Sequence, residues 1–113
     1  MTDFIRRCMR DEDKLILVVK QGSEVIGYAI AEVVTRPPCF VTSEYGSIVD
    51  LAVKEGHRRK GAGEALYTEV LQWMRAKGVK RFELKVSVGN EGAVAFWAKQ
   101  GFKEHLRTMF LDL

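Results

Sequence analysis

Apolar and polar residues alternate along the chain with two different periods, and the change of period marks its elements. Leu15-Ile-Leu-Val-Val19 is a run rich in β-branched residues, closed by the turn-prone stretch KQGSE and followed by VIGYAIAEVV. Two such runs around a Gly-containing turn predict an antiparallel hairpin. TRPPCF interrupts the pattern, since Pro37 and Pro38 cannot donate to a strand ladder, and a further strand resumes over Ser47 to Val53. From Gly63 to Lys77 the period lengthens. Leu66, Val70, Trp73 and Met74 fall on one face, with Glu64, Glu69, Gln72 and Arg75 elsewhere, which predicts an amphipathic helix ended by Gly78. RFELKVSV reads as a strand, NEGAVAFWAKQ as a shorter helix with Ala93, Phe96 and Trp97 on one face, and KEHLRTMFLDL as a last strand. At the other end, Phe4, Ile5 and Cys8 share a helical face, so Asp3 to Arg10 is expected to form a short helix.

A hairpin followed by strand, helix, strand, helix and strand predicts an α/β fold, with an α+β mixed sheet flanked by helices. The 113 residues suffice for one core, so a single domain over 1–113 is expected. A content of 47% apolar and 29% charged residues fits a soluble globular chain. The apolar runs are too short to span a bilayer and the opening residues lack a secretory pattern, so no membrane association and a cytoplasmic location are expected. Cys8 and Cys39 have no Cys or His neighbours at ligand spacing, so free thiols and no metal are expected. Met9, Met74 and Met109 read as core filler. The net charge of +3 suits an anionic ligand without requiring one.

The most distinctive chemistry lies in HRRKGAGEAL, His57 to Leu66. Here a basic loop leads from a strand into the start of a helix. A helix start binds anions because its first amides are unpaired and the macrodipole adds partial positive charge. Arg58, Arg59 and Lys60 add side-chain charge, while Gly61 and Gly63 permit close approach. Consecutive phosphates suit such a cradle. The Walker pattern is absent, and Gly61-Ala62-Gly63 continues as Glu-Ala-Leu, which fails the last position of the dinucleotide fingerprint. Nucleic acid is not expected as a partner, because no aromatic platform accompanies the charge.

The chain does resemble the GNAT acetyltransferase superfamily. Its signature V-x-P-x-x-R-x-x-G-x-G-x-x-L is matched by Val53, Arg58, Gly61, Gly63 and Leu66, and NEGAVAFWAKQGF is similar to the family's N-x-x-A-x-x-F-Y-x-x-x-G-F. The resemblance implies the acyl-CoA N-acyltransferase fold, with the N-terminal strand and helix reduced or missing. It also implies acetyl-CoA as cosubstrate. Pyrophosphate would lie on Arg58, Arg59, Lys60, Gly61, Ala62 and Gly63, the pantetheine arm along Leu51, Ala52 and Val53, and a cofactor contact at Asn90, which is also suited to cap the helix behind it. The reaction implied is direct attack of a primary amine on the thioester, with a backbone amide near Leu51 to Val53 for the oxyanion. Asp50 is the candidate base or acceptor-orienting carboxylate, with Glu32 and Glu44 behind it. Trp97 stands where the family carries a Tyr proposed as general acid, and an indole N–H is not acidic enough for that role. A non-catalytic CoA-binding module is therefore the alternative reading. The short N-terminal segment leaves a sheet edge and a pocket wall to be supplied, which points to a homodimer.

Overall fold

The computed structural model describes residues 3–10, 12–35, 44–58 and 61–113. Five strands and two helices follow in the order β1 (Asp3–Arg10), β2 (Lys14–Gln21), β3 (Glu24–Thr35), β4 (Glu44–Val53), α1 (Ala62–Ala76), β5 (Phe82–Leu84) and α2 (Glu91–Lys99). The strands lie side by side in sequence order, antiparallel from β1 to β4, with β5 parallel to β4. The mixed sheet and its helices are as the sequence predicts. Pro37, Pro38, Cys39, Arg59 and Lys60 lie outside the described residues.

Leu15, Leu17 and Val19 of β2 point to the same side as Ala29 and Ala31 of β3 and Ile48 of β4, and all are buried. Against this face lies the stripe of α1, with Leu66, Val70, Trp73 and Met74 also buried. Burying each such aliphatic side chain contributes roughly 1.5–3 kcal/mol relative to exposure, which is what holds α1 on the sheet. Small residues set how closely elements approach. A Cβ added at Gly46 would collide with the Met74 side chain and stand 3.1 Å from Phe82 Cδ1. One added at Gly27 would stand 2.9 Å from the Ala52 carbonyl oxygen. Gly78 ends α1 with φ +78°. Its N–H reaches the Arg75 carbonyl and that of Val79 reaches the Met74 carbonyl, the paired bonds of a Schellman turn.

Four expectations differ from the structure. Residues 3–10 form a strand paired with β2 from Asp3↔Gln21 to Arg10↔Leu15, not a helix. Eight residues make only a marginal helix, whereas the open edge of β2 offers a ladder of backbone partners. The strand expected from Arg81 to Val88 is reduced to Phe82–Leu84, because pairing with β4 ends at Ile48↔Leu84. The expected last strand is absent: residues 103–113 carry no regular structure, and Met109 is 90% exposed rather than core filler.

Candidate functional site

The candidate site begins where β4 loses one of its neighbours. Its pairing with β3 skips from Ile30↔Asp50 to Ala31↔Ile48, leaving Val49 as the extra residue of a β-bulge. On the other side the ladder to β5 has already stopped at Ile48. Residues Val49 to Val53 thus keep β3 on one edge and, among the described residues, no strand partner on the other. Leu51 and Val53 lie opposite Ala29 and Gly27 and join the core from its margin, while Asp50 and Ala52 lie opposite Ile30 and Tyr28 and belong to the opposite face. An unpaired strand edge presents backbone N–H and C=O groups that call for water or an extended ligand.

The loop after β4 brings a second set of free amides to that edge. His57 N–H closes a turn on the Lys54 carbonyl, and Arg58 Nε donates to the Val53 carbonyl oxygen at 3.0 Å, tying the basic loop to the strand end. Gly61 takes φ +88° as the N-cap of α1, a left-handed conformation costly for other residues, and no side chain caps the helix. The first intrahelical bond is Ala65 N–H to the Gly61 carbonyl. The amides of Ala62, Gly63 and Glu64 precede it and have no intrahelical acceptor. Gly63 lies between two side chains: a Cβ there would sit 3.5 Å from Phe96 and 3.8 Å from Val53 Cγ2. Glu64 is the one acid of this first turn, and Lys99 from α2 meets it at 3.3 Å, so the helix start keeps its positive character. Lys54, just past β4, is paired with Glu24 at the start of β3, and that ammonium holds the Glu24 carboxyl below its ordinary range.

On the opposite sheet face, Tyr28 donates its hydroxyl to Asp50 Oδ2 at 2.6 Å. Donation to this carboxylate is the main cause that raises the Tyr28 phenol above its ordinary value, with desolvation adding to it. Asp50 is exposed, and Glu32 lies on the same face two residues from Asp50's partner Ile30. Glu44 sits six residues away at the start of β4, about 20 Å along an extended strand, and is remote from this pair. Tyr28 was not among the residues singled out from the sequence. Only the register across the 36–43 connection sets it beside Asp50, and no local pattern carries that register.

Two further candidates have definite structural roles. Trp97 is 9% exposed and meets three rings nearly edge-on, with centroids 5.6 Å from Tyr67, 4.9 Å from Phe96 and 5.3 Å from Phe102. It is a core residue that fastens α2 to α1. Asn90 caps α2, its Oδ1 accepting from Ala93 N–H at 3.1 Å. The structure thus brings together Leu51, Ala52, Val53, Arg58, Gly61, Ala62 and Gly63, places Asp50 on the reverse side of the same strand, and buries Trp97. Among the described residues no group of three or more His, Cys, Asp or Glu could hold a metal ion, and no helix is long and apolar enough to cross a membrane.

A mixed α/β sheet flanked by helices is the fold of the GNAT acetyltransferases. The model of the acetyltransferase (GNAT) family matches residues 1–102, and the chain belongs to that family. It is 26% identical over 113 residues to N-acetyltransferase family 8 member 7 of Mus musculus, covering 100% of this chain and 49% of that protein. An N-alpha-acetyltransferase of Sulfurisphaera tokodaii is 28% identical over 108 residues, covering 89% of this chain and 64% of the relative. Among solved structures, a tetramutant of the BH1408 protein from Bacillus halodurans superposes with a TM-score of 0.79 at 28% identity, covering 90% of this chain and 67% of that one. The chain spans about half the length of the mouse proteins it matches.

Proposed function

We propose that the protein is an N-acetyltransferase that moves the acetyl group of acetyl-CoA to a primary amine by direct attack. The observation that carries this reading is the meeting of two backbone sites without a strand or helix partner among the described residues, the edge of Leu51 to Val53 and the free amides at the start of α1. An extended ligand with peptide-like amides at one end and a pyrophosphate at the other fits both at once. In this reading Arg58 stays on the Val53 carbonyl and offers its remaining guanidinium N–H groups to phosphate. An amide of the β4 edge would stabilise charge developing on the thioester oxygen.

The acceptor must lose a proton before it attacks, since an alkylammonium has a pKa of about 10.4. Asp50 is the candidate to receive it, directly or through water, with Tyr28 holding the carboxylate in one orientation. Trp97 supplies no acid, being an indole in the core. A thiol of pKa near 8.5 leaves tolerably as thiolate at neutral pH, so solvent can complete the step. The same position of Trp97 favours the second reading, a module that binds CoA without turning over.

Calorimetry with acetyl-CoA, followed by thiol release over a panel of amines and peptides, separates the two readings. Binding with acceptor-dependent thiol supports the transferase, and binding without it supports the module. No binding at near-millimolar acetyl-CoA overturns both. Gly63→Asp adds a carboxylate to the first turn of α1, where a negative charge favours the helix but repels phosphate. Affinity should fall about tenfold or more while the melting temperature holds, as expected for two like charges about 4 Å apart.

A further inference from the structure

The ladder between β4 and β5 runs through Gly46↔Phe82, Ser47↔Glu83 and Ile48↔Leu84 and stops there. Around these pairs the packing is tight. A Cβ added at Gly46 would collide with the Met74 side chain, and Met74 is itself fully buried. Ile48 is 4% exposed. Leu84, its partner, is half-buried and packs against the same core, as does Leu51 of β4. Past this pair the chain turns outward, with Val86 38% and Val88 85% exposed. The split between β4 and β5 therefore has a closed end at Ile48↔Leu84, where the side chains of Ile48, Leu51 and Leu84 are all set into or against the core.

With CoA placed as proposed above, a reading on which this inference rests, the ligand has a direction. Phosphate at the amides of Ala62 and Gly63 lies beside Val53, whose Cγ2 stands 3.8 Å from a Cβ built at Gly63. An arm that then follows the edge from Val53 to Leu51 runs toward the closed end of the split, and its sulfur and acyl group come last. Paired strands stand about 4.8 Å apart, which leaves no room for a carbon chain between them. We propose that Leu84 sets the length of the acyl group this site accepts. Acetyl ends short of the Leu84 side chain, and each further methylene is driven against it. A side chain packed on the core gives way only by shifting its neighbours, so the extra carbons are rejected rather than absorbed. The donor class is a short acyl thioester, and its limit comes from β5, outside the loop and helix start that would grip the phosphates.

Calorimetric titration of the full chain with CoA, acetyl-CoA, propionyl-CoA and butyryl-CoA reads this limit whether or not the chain turns over. Butyryl-CoA should bind at least about tenfold more weakly than acetyl-CoA, with propionyl-CoA between them. Leu84→Val shortens the side chain by one carbon and Leu84→Ala by three. The ratio of propionyl-CoA to acetyl-CoA affinity should rise about threefold or more in Leu84→Val, and that of butyryl-CoA to acetyl-CoA about tenfold in Leu84→Ala. Leu84→Val keeps a β-branched residue on the strand and carries the test should Leu84→Ala unfold. Wild type that binds butyryl-CoA as tightly as acetyl-CoA overturns the limit and leaves the CoA reading standing. Folded variants with wild-type ratios overturn the assignment to Leu84. Failure of all four ligands to bind at near-millimolar concentration overturns the CoA reading and this inference with it.

Discussion

Removing the Trp97 ring tests whether this position serves structure or chemistry. Its side chain is 9% exposed and meets three rings edge-on. Trp97→Ala removes the transfer free energy of the indole and opens a cavity between α1 and α2, together about 3–5 kcal/mol. Against a total stability of roughly 5–15 kcal/mol this is a large share. At about 4 °C per kcal/mol for a domain of this size, the midpoint should drop by roughly 12–20 °C. Trp97→Phe keeps one ring for the edge-to-face contacts and should cost about 1–2 kcal/mol, with thiol release at saturating acetyl-CoA within about threefold of wild type. Thermal melts by circular dichroism and a thiol-release assay, run on the same preparations, read both quantities. Should Trp97→Ala melt within about 2 °C of wild type, the ring is not in the core. Should Trp97→Phe lose turnover about 100-fold at an unchanged midpoint, the indole acts in the reaction and the assignment is wrong.

Gly27→Ala drives a methyl against the Ala52 carbonyl and Val19 Cγ1, at 2.9 and 3.1 Å, and should cost about 1–3 kcal/mol in thermal melts. Acetyl-CoA affinity should fall with it, because the displaced strand is the one proposed to hold the ligand. Asn90→Ala loses the cap of α2 and should cost about 1 kcal/mol, whereas Asn90→Asp should melt like wild type. The Tyr28 phenol is raised in the folded chain by donating to Asp50, so its contribution is complete below the unfolded value near pH 10 and is lost as pH rises through the folded value. Ultraviolet titration should show a high-titrating phenol that returns toward the ordinary range in Asp50→Ala, with the Tyr67 phenol, raised by burial, unaffected.

The elements around the proposed phosphate site were legible because their physics is local. The strand end at Val53, Gly61 at a left-handed N-cap and the start of α1 are close in the chain, so reading the residues in order already gives their succession. The stripe of α1 was legible for the same reason, since Leu66, Val70, Trp73 and Met74 repeat with the helix's own period. The connection of Tyr28 to Asp50 was not, because 22 residues and a register separate them. The exchange of helix for strand at Asp3–Arg10 has a related cause. Eight residues with mixed periodicity take the conformation their neighbour offers, and β2 offered an edge. Likewise 85–88 and 103–113 have strand composition without a strand partner among the described residues.

By itself, then, the sequence determined whatever depends on neighbours within a turn or two: the hairpin, α1 and its end at Gly78, and the glycine-led start of α1. Tertiary structure decided where β4 parts from β5, which face Asp50 occupies, that Trp97 is core, and which strands form at all. The physical reason is one of reach. Helices, caps and turns satisfy their backbone groups with residues nearby, whereas a strand's hydrogen bonds belong to a partner that no stretch of its own sequence specifies.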